Sequence, residues 1–226
     1  FEGATGKLLE VRDHVGPAAE TRGVMYALHL GRFGDLPLRW LYFLVSLAGT
    51  AMVGTGLVMW TVKRRQKLAD PDKPYFGFRV VERLNIAAIA GLSIAMAAFL
   101  WANRLLPEGL AQRGDWEVNV FFIVWLLTLA HAVLRPARRA WVEQLWFAAA
   151  ALALLPLLNA ITTQRPLWHS IAAGDGVFAG MDLMLWALAA VHALLAWRTA
   201  RHAPRLRPAT RAPTRRAEPP PAAERA

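Results

Sequence analysis

His131 and His192 are the side chains whose type and placement first suggest chemistry. Each lies inside a long apolar stretch close to its arginine-rich end, His131 four residues before Arg135 and His192 six before Arg198. An ionisable side chain within a membrane helix costs at least about 2.5 kcal/mol, so it is retained where it has a use. The pair reads as a candidate ligand set for a metal or a haem iron. A haem in a helical bundle needs axial ligands that project inward from facing helices at matched depth. At about 1.5 Å per residue, His131 lies about 6 Å and His192 about 9 Å from the first arginine that follows, which is compatible with one site. The plainer alternative is that each ring ties two helices together by a hydrogen bond or reaches for the interface.

The elements that would hold these rings are membrane helices. Of 226 residues, 56% are hydrophobic, and the mean hydropathy is +0.30, too apolar for a soluble domain of this size. Apolar runs at roughly 38–62, 84–106, 116–134, 141–161 and 177–197 are each long enough to cross about 30 Å of hydrocarbon. Runs of this length without β-type alternation favour helices over a barrel. The expected fold is an all-α membrane protein, a bundle of about five transmembrane helices with a short N-terminal periplasmic segment. Its expected parts are 1–36 outside, 37–198 in the membrane, and a disordered Arg-, Ala- and Pro-rich cytoplasmic tail over 199–226.

Charge sets the expected orientation. Lys63-Arg64-Arg65-Gln66-Lys67, Arg135-Pro136-Ala137-Arg138-Arg139 and the tail carry dense positive charge, as cytoplasmic loops do. The other two connections hold Arg104 with Arg113 and Arg165 alone, so they are expected to face the periplasm. The net charge of +10 then reflects this asymmetry, not nucleic-acid binding; membrane lipid is the expected surrounding partner, and the basic tail could grip anionic headgroups or only enforce the topology. Trp40, Trp60, Trp101, Trp116, Trp141 and Trp197 fall near the expected span ends, where amphipathic rings settle. Small residues spaced by four, Ser46-Thr50-Gly54 and Ala87-Gly91-Ala95, would let backbones approach closely, although such residues are common in membrane helices. With no cysteine in the chain, thiolate sites and iron–sulfur clusters are excluded, and a redox cofactor falls to His or Met.

Two further histidines, His29 before the first span and His169 in the second outer connection, belong to the expected periplasmic side. They could serve a second haem or receive a substrate. Arg32 follows His29 by three residues, on the same face if that stretch is helical, and would suit a haem propionate or an anionic chelate. His14 and His202 read as surface residues. Asn85, Asn119, Asn159 and Asp182 lie near expected span ends, where interface solvation accounts for them; Asp182 alone could take part in proton movement. The sequence starts at Phe1 without a signal-like segment, which suggests a piece of a longer protein, and Phe1–Glu10 reads as the end of a β-hairpin.

The stretch Ala27-Leu28-His29-Leu30-Gly31-Arg32-Phe33-Gly34, followed by Leu38-Arg39-Trp40-Leu41-Tyr42-Phe43-Leu44 and by Gly56-Leu57-Val58-Met59-Trp60 before Lys63-Arg64-Arg65, resembles the PepSY-associated transmembrane proteins. Thr5-Gly6-Lys7-Leu8-Leu9 looks like the terminal strand of the periplasmic PepSY domain of such a protein. The resemblance covers roughly residues 1–65; the later spans match in hydropathy and histidine placement. It implies a bacterial inner-membrane protein, with a periplasmic domain and another membrane helix upstream. Some members of that family are haem-containing reductases of ferric siderophores. The resemblance thus implies one or two haems b, with His131, His192, His29 and His169 as candidate iron ligands, Arg32 beside the outer site, and an electron donor that the sequence does not name. Fe(III) is a hard ion held by oxygen donors, so reducing it loosens the chelate. Two other functions stay open: a non-catalytic anchor or assembly partner of a PepSY domain, and a transporter subunit for iron or its chelator. Against transport, the spans lack paired Gly/Pro breaks and a charged midplane cluster.

Overall fold

The structure, a computed structural model, describes residues 16–31 and 34–201. The hairpin expected at Phe1–Glu10, His14, Arg32, His202 and the tail beyond Arg201 lie outside the described residues. The chain divides into two compact units, Phe1–Gly56 and Leu57–Ala226.

In the first unit, helix α1 (Gly16–Leu30) is followed by the start of α2 (Leu36–Gln66). Gly31 has a left-handed backbone, φ +58°, the conformation that ends helices because only glycine adopts it without strain. Arg39 Nε donates to the Gly34 carbonyl at 3.0 Å, tying the turn to the first turns of α2. Lys63, Arg64 and Arg65 occupy the last turn of α2, where cations complement the negative end of the helix dipole.

The second unit holds the end of α2, then α3 (Phe76–Ile86), a π-helical segment (Ala87–Gly91) and α4 (Leu92–Leu105), which together form one crossing. After it come α5 (Arg113–Leu134), α6 (Ala137–Thr162), the short α7 (Leu167–Ala172) and α8 (Gly176–Arg201). Five helical stretches among the described residues are long and apolar enough to cross a membrane: 36–66, 76–105, 113–134, 137–162 and 176–201. These contain the runs read from the sequence to within one residue at either end, and extend most of them outward. The chain is a multi-pass, all-α membrane protein, and no strand occurs among the described residues.

Local sequence explains the breaks. Arg135 precedes Pro136 and is extended, with φ −107° and ψ 151°, because the proline ring clashes with a helical predecessor. The chain therefore turns sharply from α5 into α6. Pro156 inside α6 is buried, a placement that membrane helices tolerate when neighbours cover the freed backbone groups.

The core is built mainly from alanine. Ala97, Leu152, Leu155, Leu185 and Ala189 join α4, α6 and α8; Ile86, Ala132 and Ala140 join α3, α5 and α6; Ala90, Leu145 and Ala196 join the π segment, α6 and α8. Small side chains allow close backbone approach, which drives association where lipid removes the hydrophobic advantage of burial. Ala87, Gly91 and Ala95 are all buried, so that small-residue stripe is a packing surface.

The basic connections gather at one end of this unit. Arg138, at the start of α6, donates to the carbonyls of Thr199 and Ala200 at the end of α8, at 3.4 and 2.8 Å. Arg65 lies beside Pro136 and Ala137 around a common pocket.

Candidate functional site

A connected polar cluster lies where α5 and α6 run antiparallel beside the π segment. The sharp turn at Arg135–Pro136 brings His131 opposite Glu143 and Gln144. Gln144 Nε2 donates to the Thr128 carbonyl at 2.7 Å and approaches His131 Nδ1 at 3.2 Å. The carbonyl only accepts, so it fixes the orientation of the Gln144 amide, and the amide in turn makes His131 Nδ1 the acceptor. His131 therefore carries its hydrogen on Nε2 and donates it to Glu143 Oε2 at 2.9 Å. Arg135 pairs with the same carboxylate through Nε at 3.0 Å and through Nη2. In the loop outside the spans, the Arg135 guanidinium is pushed above its ordinary pKa, first by its hydrogen bond to Glu143 and then by that group's charge.

The π segment supplies the wall. A π turn inserts one residue into an α-helix and leaves carbonyls that need other donors. Trp125 Nε1 donates to the Ala87 carbonyl at 2.9 Å. Gly91 faces Thr128 so closely that a Cβ there would sit 2.9 Å from Thr128 Cβ and 3.3 Å from Gln144 Oε1. Gln144 Oε1 is buried with no hydrogen-bond partner among the described residues.

His192 is held differently. Its Nδ1 lies 2.8 Å from the Leu188 carbonyl. A carbonyl only accepts, so Nδ1 carries the hydrogen, and Nε2 keeps its lone pair on a half-buried face of α8. A histidine whose second nitrogen is anchored in this way is oriented for metal ligation. Ala196 clusters with Leu145 of α6, and Ala189 with Leu152. His192 lies on α8 between these two packed positions. His131 and His192 share no hydrogen-bond partner.

His29 lies exposed in the last turn of α1. The helical register that would place Arg32 on its face ends at Leu30, and Arg32 itself is outside the described residues. His169 is exposed on α7, its ring 6.2 Å from that of Trp168. Among the described residues, no three His, Cys, Asp or Glu side chains converge so as to hold a metal ion by themselves.

Several polar residues assigned to interface solvation are interhelical ties. Asn85 is buried and donates to Thr61 Oγ1 at 2.8 Å. Asp182 is 2% exposed, and Asn159 Nδ2 lies 3.4 Å from both of its oxygens. Glu117 binds Asn103 at 3.1 Å and Arg113 at 3.0 Å, fastening the other end of α4 to α5. Glu143 and Gln144 escaped the reading of the sequence. A carboxylate and an amide just inside the apolar run that starts at Trp141 are the signal that finds them.

Fold and composition define a helical multi-pass membrane protein. Residues 6–63 match the PepSY-associated TM region, the stretch in which the sequence resemblance was read. No curated protein and no solved structure matches the chain.

Proposed function

We propose that this chain is the membrane part of a bacterial inner-membrane protein that carries electrons by way of haem b to ferric siderophores on the periplasmic side. The observation that carries the reading is His192, whose Nδ1–H is committed to the Leu188 carbonyl while Nε2 stays open. The match of residues 6–63 to the PepSY-associated TM region supports the protein class, and the siderophore substrate rests on the family resemblance. His192 fits an axial ligand as it stands. His131 does not, because Glu143 and Gln144 occupy both ring nitrogens, so one of those bonds has to open before His131 could serve beside it. The haem, when bound, supplies a one-electron carrier for Fe(III) reduction. The chain's own contribution is to orient the His192 ring, exclude water with its alanine-packed helices, and hold positive charge at one end. His29, His169 and Arg32 remain candidates for the outer site.

A second reading is favoured by His131 itself. A histidine satisfied on both nitrogens within the bundle ties helices together, as expected of a non-catalytic anchor for a PepSY domain. An absorption spectrum of the purified full-length protein separates the two. The electron-transfer reading expects a haem b spectrum that is lost in His192→Ala and reoxidation of the reduced protein by a ferric siderophore. Absence of haem absorption overturns it and leaves the anchor.

A further inference from the structure

At the basic end of the second unit, a pocket of about 420 Å³ is lined by the charged residues Arg65, Asp72, Lys73, Arg79, Glu82 and Arg83, together with Pro136 and Ala137. Arg65 is fully committed to the frame. Its Nη2 pairs with Glu82 at 2.7 Å, its Nη1 donates to the Pro71 carbonyl at 3.0 Å, and its guanidinium lies 5.3 Å from the centre of the Phe78 ring. Glu82 is thereby paired with Arg65.

The remaining cations have no such partner. Arg83 Nη1 is buried without a hydrogen bond, and neither Arg79 nor Lys73 has an ion-pair partner among the described residues. A buried guanidinium N–H demands an acceptor, and charged acceptors satisfy it best. Asp72 is the remaining carboxylate on the lining. The pocket therefore holds excess positive charge around an unmet donor. Arg79 and Arg83 sit in the first two turns of the second membrane crossing, the level at which lipid headgroups lie. Basic pockets between membrane helices at this level suit phosphorylated headgroups.

We propose that this pocket binds a phosphoryl group, with Arg83 as the buried donor and Arg79 and Lys73 closing over it. Two sources present that chemistry, the headgroup of an anionic phospholipid and a soluble phosphate compound. Arg135, Arg138 and Arg139 belong to a different pocket and provide the control.

The test uses the full chain in nanodiscs and in detergent. Lipid retention is read by native mass spectrometry, and thermal unfolding is followed with phosphatidylglycerol, with phosphatidylcholine and with inorganic phosphate. Phosphatidylglycerol should be retained and should raise the unfolding temperature, whereas phosphatidylcholine should not. If inorganic phosphate alone does the same, the source is soluble; if only the lipid does, it is the headgroup. Arg83→Gln should weaken binding about tenfold or more, the loss expected for one charge-assisted bond. Lys73→Gln, at an exposed loop position, should weaken it less. Arg139→Gln should leave it unchanged. The proposal is overturned if phosphatidylglycerol shows no preference over phosphatidylcholine and phosphate has no effect. Equal losses in Arg139→Gln and Arg83→Gln would also overturn it, because the charge would then act as a diffuse surface.

Discussion

Replacing Gly91 with alanine adds one methyl group where the neighbouring Thr128 and Gln144 side chains leave it no room. The new Cβ would meet Thr128 Oγ1, would lie 2.9 Å from Thr128 Cβ, and would lie 3.3 Å from Gln144 Oε1. Helix propensity works the other way, since alanine is favoured over glycine in a helix interior by about 1 kcal/mol. Overpacking typically costs about 1–3 kcal/mol. Gly180 in α8 supplies the reference, because a Cβ there meets nothing within 4 Å. Gly180→Ala should be neutral or stabilising, and Gly91→Ala should be less stable than Gly180→Ala by about 1–3 kcal/mol, the steric cost alone. Reversible unfolding in mixed micelles by a denaturing detergent measures both. Thr128→Ala removes the nearest atom, so in the Gly91→Ala background it should recover part of the loss, a coupling that a double-mutant cycle detects. If Gly91→Ala is as stable as Gly180→Ala, the π segment is not wedged against Thr128 as described.

Asn85→Ala should cost only about 0.6 kcal/mol, and at most about 1.7, the range for interhelical hydrogen bonds in membranes. The cost stays small because Thr61 also donates to the Leu57 carbonyl at 2.9 Å; a larger loss in the same unfolding assay would mean that Asn85 serves more than this tie. Asp182→Asn removes a buried carboxylate and keeps an acceptor oxygen for Asn159, so stability should hold or rise, and a clear loss would show that the charge itself is needed. Reporter fusions near Arg65 and Arg138 should read cytoplasmic, and those near Gly109 and Gly174 should read periplasmic. An external signal at Arg138 would refute the orientation drawn from the basic loops.

Membrane class, the five crossings and the clustering of arginines at alternate connections were legible in the sequence, because each depends on local composition. A run of about 20 apolar residues must be helical in lipid wherever its neighbours lie, since the backbone has no other partner there. The family segment was legible for a similar reason, as its motif is contiguous from Ala27 to Arg65. The state of each histidine was not. His131 and Glu143 are twelve positions apart and meet only because α5 and α6 turn back on each other at Pro136 with one particular rotation about their axes. Hydropathy reports depth along a helix but not which face a neighbour covers. For the same reason Asn85, Asn159 and Asp182 looked like solvated span ends and proved to be ties between helices. The π segment left no mark in an apolar run, because one inserted residue changes the rotation of everything after it without changing composition. Chain-local chemistry thus determined that this protein crosses the membrane and where; tertiary packing decided that His131 is occupied while His192 keeps an open nitrogen, because that depends on which helix faces fill each other's space.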